Sequence, residues 1–297
     1  MKQITRPVRW KIFIMHEINF IDETFDLDRA TEYHLSIQVG LDGFSFCILD
    51  ISQKKFILLQ HIPLIVGKLQ FLPKKMEAIF DQEEKLAASY QSISVTYSTN
   101  KATLLPKAYG DGDSALVAKI AELTNELSKN EEIAVNDLPG FNQQLIFSYP
   151  KELMTLLNRK FTQFSFIHKS VPLLASAVEQ RDEKKNTLLI NFEKQTVRII
   201  AIKDMQIAFY NNFYFKNEAD FLYYTLNICH TLQIDPERDE LLIGGYVADD
   251  SGYIRQLKKY VSNVHFLKPP AGSYYSNTFD KVQKHQFVSL LNSFKCV

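Results

Sequence analysis

The chain is poor in the residues that carry metal and covalent chemistry. Its 297 residues include three cysteines, Cys47, Cys229 and Cys296, far apart and without C-x-x-C spacing. That excludes a zinc ribbon, a thioredoxin-like redox pair and a disulfide framework, and it fits free thiols in a reducing compartment. The seven histidines form no H-E-x-x-H or other paired pattern, so no metal site is expected. There is no G-x-S-x-G elbow and no glycine-rich P-loop. Glycine and proline number ten each, too few for a collagenous or low-complexity chain. No apolar run approaches the ~18 residues of a membrane-spanning helix. Lys2, Arg6 and Arg9 precede Trp10–Met15, but Lys11 interrupts that short run and no small-residue cleavage site follows it. A signal peptide is therefore not expected, and the chain reads as cytoplasmic. Basic and acidic residues balance at 34 each. Phosphate neutralisation needs a basic excess, so no nucleic-acid partner is expected.

What is present is ordinary globular text, 46% hydrophobic and 23% charged, long enough for two domains. Residues 1–33 alternate weakly, end in an acidic stretch and read as a peripheral arm. From His34 the period becomes two: Leu35, Ile37 and Val39, a Gly40-Leu-Asp-Gly43 turn, Phe44, Phe46 and Ile48, then Phe56–Ile62. This spacing predicts a three-stranded antiparallel meander. A helix over Pro73–Ala88 and a strand over Tyr90–Tyr97 follow, then a strand at 101–105. A helix over Ala115–Leu127 is expected to bury Leu116, Ile120, Leu123 and Leu127. Beyond a strand at 144–148, a helix at 151–159 and a strand at 161–167, Ser170 is expected to cap a helix reaching Gln180. Glu179–Asn186 (EQRDEKKN) is the most charged stretch and marks a boundary. The reading is therefore an arm (1–33), a first domain (34–181) and a second domain (182–297).

The second half opens like the first. At an offset of 151 residues, Ile37 falls on Leu188, Phe46 on Val197, Phe56 on Ile207 and Leu58 on Phe209, while Gln60-His61 falls on Asn211-Asn212. Asn217, with Asp220 three residues on, predicts a helix start. A buried strand over Asp239–Gly244, a helix from Asp250-Ser251, a strand at 264–267 and a C-terminal helix complete the half. The shared order of three strands, a helix and a strand implies an internal duplication into two α/β domains facing a cleft.

Two domains that each open with such a meander resemble the actin-like ATPase superfold of sugar kinases, actin, Hsp70 and the pilus-assembly and cell-division actin homologues. More closely, the chain resembles an uncharacterised bacterial family described only by that fold, over roughly residues 18–290. The resemblance implies an α/β architecture with mixed (α+β) sheets, a duplicated, ribonuclease H-like, two-domain fold. It also implies a nucleotide cleft. Gly40, Asp42 and Gly43 would form the first phosphate hairpin, Asn191 and Lys194 would lie in the second, and Gly244-Gly245 would form the turn under adenosine. The departures are chemical. ATP-hydrolysing members carry Asp-x-Gly at the first strand end, where this chain has Gln38-Val39-Gly40. They carry Asp-x-Gly-Gly-Gly in the second hairpin, where this chain has Asn191-Phe-Glu-Lys-Gln195. A neutral amide brings no charge to a divalent ion, and without glycine the backbone cannot approach phosphates closely. No catalytic residue and no cofactor is therefore expected, and the cleft reads as a degenerate one in a non-catalytic protein that binds another protein. The alternative is an ATP-binding switch or kinase-like protein in which Asp42 or Glu193 holds Mg²⁺. Asp249-Asp250 reads as helix capping. The aromatic group Phe209-Tyr210, Phe213–Phe215 and Tyr223-Tyr224 reads as core plus edge, any exposed ring favouring a protein interface.

Overall fold

Apolar residues alternating largely with polar or small ones between Tyr33 and Pro63 build the centre of the first sheet. In the computed structural model, which describes residues 16–41, 43–110 and 114–296, strands β1 (Ile18–Ile21), β2 (Tyr33–Gly40), β3 (Gly43–Asp50) and β4 (Lys55–Pro63) are followed by α1 (Leu72–Gln82) and β5 (Ser92–Tyr97). Then come β6 (Ala102–Pro106), α2 (Lys107–Gly110), α3 (Ser114–Thr124), β7 (Glu131–Asp137), β8 (Gln143–Pro150), α4 (Lys151–Lys160), β9 (Ser165–His168) and α5 (Ser170–Gln180). The second half holds β10 (Thr187–Phe192), β11 (Thr196–Lys203), β12 (Gln206–Tyr214), α6 (Glu218–Leu232), β13 (Glu240–Gly245), α7 (Gly252–Leu257), β14 (Val264–Phe266), β15 (Tyr274–Tyr275) and α8 (Val288–Asn292).

Two sheets share one topology. The first runs β1-β4-β3-β2-β5-β9 and the second β12-β11-β10-β13-β14. In each, an antiparallel meander is continued by two parallel strands. Each meander also carries a bulge, between Ile48 and Leu49 and between Ala201 and Ile202. A third sheet, β6-β8-β7, lies between β5 and β9 in the sequence and forms a small unit of its own, with α3 packed over Leu105 and Ile146.

The equivalence of the halves differs in register from the sequence expectation. Gly40 pairs Gly43 across a two-residue turn, and the same place in the second half is held by Glu193 and Thr196, joined by a 2.8 Å backbone bond. Gln38 thus corresponds to Asn191, an offset of 153, whereas the third strands keep the offset of 151. The difference is a longer β3–β4 loop: Asp50 pairs Lys55, but Lys203 pairs Gln206 through Asp204 and Met205, both at positive φ. A slip of two residues keeps every side chain on its own face, because strand period is two. The apolar pattern therefore could not reveal it.

Each sheet buries its outer face under its own helices. Leu35, Ile37, Val39, Phe44 and Phe46 pack on Met76, Ile79 and Phe80 of α1 and on α4; Leu188, Ile190, Val197 and Ile199 pack on α6 and α7. The inner faces meet two helices that pack against each other. Helix α5 covers Leu189, Ile200 and Leu242, and α8 with its flanking turns covers Cys47, Leu49 and Phe56. The chain thus crosses the expected division twice. Ile18–Ile21, read within the arm, is a strand paired to β4, and residues 274–294, read with the second domain, return to the first sheet. Two local expectations are corrected. Helix α3 buries Val117 and Ala121 and leaves Leu123 77% exposed, so its inward face is rotated from the expected one. Helix α1 stops at Gln82, beyond which a short 3-10 turn seats Leu86.

Gly245 sits at φ +80, where an added Cβ would lie 2.1 Å from the Phe192 carbonyl oxygen. Gly140 has a similar φ of +84 with open space around it. Gly245→Ala is therefore expected to lower the unfolding free energy by about 3 kcal/mol or more, and Gly140→Ala by only about 1 kcal/mol, as read from urea denaturation midpoints. Equal losses would show that φ alone, and not the contact with β10, constrains Gly245.

Candidate functional site

The inner faces of the two sheets become polar where their central strands end. On the first sheet Gln38, Ser45, His61 and Thr96 replace the apolar residues lower down, and all are buried. On the second sheet the corresponding residues are Asn191, Arg198 and Asn212, with Gly244 beside Asn191 on the parallel neighbour. The halves match pair for pair. Ser45 lies opposite His61 and bonds its Nδ1 at 2.7 Å; Arg198 lies opposite Asn212 and donates from Nε to Oδ1 at 2.8 Å. Gln38 Oε1, Thr96 Oγ1, His61 Nε2 and Asn191 Nδ2 are buried without a hydrogen-bond partner.

Arg198 is 0% exposed. Its Nη2 donates to the Thr99 carbonyl at 2.8 Å and reaches Asn100 Oδ1 at 3.4 Å, and its Nη1 donates to Ser170 Oγ at 3.1 Å. The guanidinium also lies 5.8 Å from the Tyr210 ring centroid. One strand of the second sheet thereby holds the β5–β6 loop of the first half and the first turn of α5. Ser170, expected as a helix cap, is instead the first residue of α5, and its hydroxyl joins Arg198 to Tyr210 OH at 3.0 Å. His168 is fully buried beside it. The Ser170 N–H donates to His168 Nδ1 (3.1 Å), so the ring proton sits on Nε2 and is given to the Thr99 carbonyl (3.1 Å). Burial, with Arg198 and Lys169 nearby, holds this imidazole well below its ordinary pKa and keeps it neutral.

Glu193 closes the cluster. It is the first residue past β10, in the β10–β11 hairpin. Its carboxylate turns inward, 6% exposed, to 3.5 Å from Lys169 Nζ and 3.6 Å from Arg198 Nη2. Thr196 Oγ1 donates to Oε2 at 3.1 Å, and Ser98 Oγ of the first half reaches Oε1 at 3.5 Å. Burial alone would raise this pKa, but Arg198 and Lys169 outweigh it and hold the carboxyl below its usual range. Lys169, itself 4% exposed, lies 5.3 Å from the centroid of Tyr246, and Tyr246 meets His61 of the first half edge-on at 6.1 Å.

The residues singled out in the sequence are therefore only partly brought together. Gly40 and Gly43 end β2 and begin β3, where a Cβ would strike Ser98 or His61. Asn191, Gly244 and Gly245 form one unit, paired across β10 and β13, with the Tyr246 N–H bonded to the Phe192 carbonyl at 2.9 Å. Lys194 is exposed, on the hairpin tip next to Glu193. Asp42 lies outside the described residues. The sequence reading gave no site role to Arg198, Lys169 or His168 and took Ser170 only as a helix cap. The available signal was a lone arginine between Val197 and Ile199 in an otherwise apolar strand, a position where an unpaired charge is prohibitive. Beyond the cluster, the cleft opens into a groove of about 710 Å³, lined by Leu41, the Leu64–Gln70 loop, Ser98–Lys101, Glu193–Thr196 and Tyr214.

The chain matches the family described as "Protein of unknown function (DUF3822)" over residues 22–264 and belongs to that family. A crystal structure from Bacteroides thetaiotaomicron VPI-5482, of a protein with actin-like ATPase fold and unknown function, superposes with a TM-score of 0.71 at 23% identity, covering 82% of this chain and 93% of that one. A PilM–PilN type IV pilus biogenesis complex superposes with a TM-score of 0.56 at 11% identity, covering 90% and 98%. The fold is that of the actin-like ATPases. No curated protein matches the chain.

Removing the Glu193 charge leaves two buried cations facing each other. Glu193→Gln is expected to cost about 3–5 kcal/mol at pH 7. Because the folded pKa of Glu193 is depressed, its contribution is complete above the unfolded value near 4.5 and fades as pH falls through the folded one. The gap between wild type and Glu193→Gln should therefore narrow in acid. A gap constant from pH 7 to pH 3 would show that the pairing contributes nothing. Separately, burial lowers His34 and His61 from 6.5 to about 4. Between those values the unfolded chain binds protons that the folded one does not, so the urea midpoint should fall from pH 7 to pH 4. A flat profile would contradict the neutral state of these rings.

Proposed function

We propose that this chain is a non-hydrolysing, cytoplasmic member of the actin-like fold that acts by binding another protein, its nucleotide cleft closed from within. The observation that carries the reading is the Glu193 carboxylate held by Lys169 and Arg198 at the second hairpin. An ATP phosphate would have to displace it and meet a negative charge on the way. The two strand ends that would supply carboxylates toward a metal present Gln38 and Asn191 instead. A Mg–triphosphate needs anionic or water-bridged oxygen donors and a backbone free to approach. Neutral amides and a glycine-free hairpin do not fit that group. Tyr246, beside the glycine pair, packs toward His61 of the first half and occupies the space between the lobes.

Two features support a protein partner. The cleft mouth exposes Leu41 (43%), Ile65 (89%) and Tyr214 (72%) around a single groove, and exposed apolar patches with aromatic members are typical of interfaces. One solved structure of this fold is a complex of PilM with PilN. No helix among the described residues is long and apolar enough to cross a membrane.

A thermal shift with Mg–ATP tests the reading. A ligand at 100 times its Kd stabilises a fold by about 2.7 kcal/mol, a rise of several degrees. No rise is expected at millimolar Mg–ATP. A rise that Lys169→Met abolishes would instead support an ATP-binding switch in which Glu193 moves aside to free Lys169 and Arg198.

A further inference from the structure

A strand at the rim of a sheet carries unpaired backbone groups, and folded chains blunt such edges with short length, charge, proline or a cover. Most edges of this chain are blunted. Among the described residues β1, β9, β14 and β15 have four residues or fewer, β6 ends at Pro106, and β7 carries Glu131, Glu132 and Asp137. Strand β9 is also capped from the side: Asn136 Oδ1 accepts from the His168 N–H at 2.7 Å, and its Nδ2 donates to the Phe166 carbonyl at 3.3 Å. The exception is β12, one edge of the second sheet, with nine residues, no charge and no proline.

The ladder shows which part of this edge is open. The Phe215 N–H bonds the Gln195 carbonyl at 3.4 Å, toward β11, and hydrogen bonding alternates from there. Phe213, Asn211 and Phe209 therefore bond β11, while Tyr210, Asn212 and Tyr214 turn their N–H and C=O groups outward. Ala208 is the extra residue of the bulge, so Ile207 also faces outward. There the edge is already occupied. Gln143 Oε1 accepts from the Ile207 N–H at 3.1 Å, and its Nε2 donates to the Ile207 carbonyl at 3.2 Å. Farther up, the cover is only local: Asn211 Oδ1 accepts from the Asn212 N–H at 2.8 Å, a bond that an arriving carbonyl can replace.

The open stretch is complementary to itself. Phe209-Tyr-Asn-Asn-Phe-Tyr-Phe215, laid antiparallel on a copy of itself about Asn212, sets Tyr210 against Tyr214, Phe209 against Phe215 and Asn212 against Asn212. Outward residues then meet outward residues, as a hydrogen-bonded antiparallel ladder requires, and aromatic cross-strand pairs add to it. The first charge beyond the stretch, Lys216, falls opposite Ala208. We infer that two copies of this chain pair antiparallel along β12, with a twofold axis at Asn212, joining two five-stranded sheets into one. Such an isologous contact closes on itself, so the assembly is a dimer and not a fibre. The inference stands apart from the reading of the cleft, because the pairing uses backbone groups of β12 and the thermal shift with Mg–ATP does not decide it. Tyr214, 72% exposed, is shared with the rim of the groove.

Sedimentation equilibrium of the full chain, taken to about 100 µM so that micromolar pairing is visible, is expected to show twice the 34.4 kDa chain mass. Tyr214→Lys and Asn211→Lys place charge on exposed positions of the edge, and each should raise the dimer Kd by about tenfold or more, whereas Leu123→Lys on α3 leaves it unchanged. Tyr214→Pro, which removes one outward N–H, should weaken the dimer without adding charge. In residue-resolved hydrogen exchange, the amides of Tyr210 and Tyr214 should slow with rising concentration, while that of Ile207, held by Gln143, stays the same. A single 34.4 kDa species at the highest concentration would overturn the inference. So would a dimer that all three edge variants leave intact, or species that grow beyond the dimer.

Discussion

One buried guanidinium sets the geometry of the interior. Arg198 has no exposed surface, and each of its donor nitrogens has an oxygen partner: Asn212 on its own sheet, Ser170 on α5, and Thr99 with Asn100 on the loop that leaves the first sheet. A charge so buried is tolerated only when it is hydrogen-bonded and countered, and Glu193 supplies the counter-charge. Because the partners come from both halves, the cost of exposing Arg198 opposes any motion that separates the lobes at this point. The neutral His168 shares the Thr99 carbonyl and so fixes the same loop from the other side. Isolated buried ion pairs are weak evidence for stability. Here the more secure consequence is positional: one arrangement of the β5–β6 loop, α5 and the second hairpin satisfies all these groups.

The layers around the cluster follow from this placement. Helices α5 and α8 lie between the sheets and touch each other, and each covers the inner face of a different sheet. The C-terminal segment reaches the first sheet only because it crosses the gap, where Ser293 Oγ bonds Ser94 Oγ at 3.0 Å and His285 Nε2 bonds the Val247 carbonyl at 2.7 Å. The two lobes are therefore joined by an apolar seam as well as by a polar one, and the polar one lies at the strand ends, where the apolar side chains stop.

Much of the architecture was legible because strands with one face on helices and the other on a buried seam leave strong apolar runs. The meanders, most helices and the Asn217 cap, whose side chain accepts from the Asp220 N–H at 2.9 Å, follow from period and cap chemistry. The two-residue register slip was invisible because it moves no residue to the opposite face. The exposure of Leu123 was hidden because α3 meets only a small sheet, so that two of its apolar rows compete and the narrower Val117–Ala121 row fits closer. At the site, the sequence located the hairpin but not the partners of its charged residues. Lys194 draws attention as a charge at the hairpin tip, yet it is Glu193 that is buried and paired, with Arg198 of its own half and with Lys169 across the halves. Local spacing carries no trace of residues 24 positions apart meeting in space.

The same contacts bear on the absence of glycine from this hairpin. In a phosphate hairpin, glycine is useful because an anion must come within reach of backbone N–H groups. Once a side-chain carboxylate takes the anionic place, that need disappears, and Phe192 can turn its ring into the core among Phe215, Phe221 and Tyr253. Gly245 is held by a different constraint, the backbone of Phe192 pressed against it. The backbone contact alone is enough to require glycine at this position. In this chain the charge of Glu193 and the placement of Lys169 say more about the cleft than the conspicuous Gly244-Gly245 does.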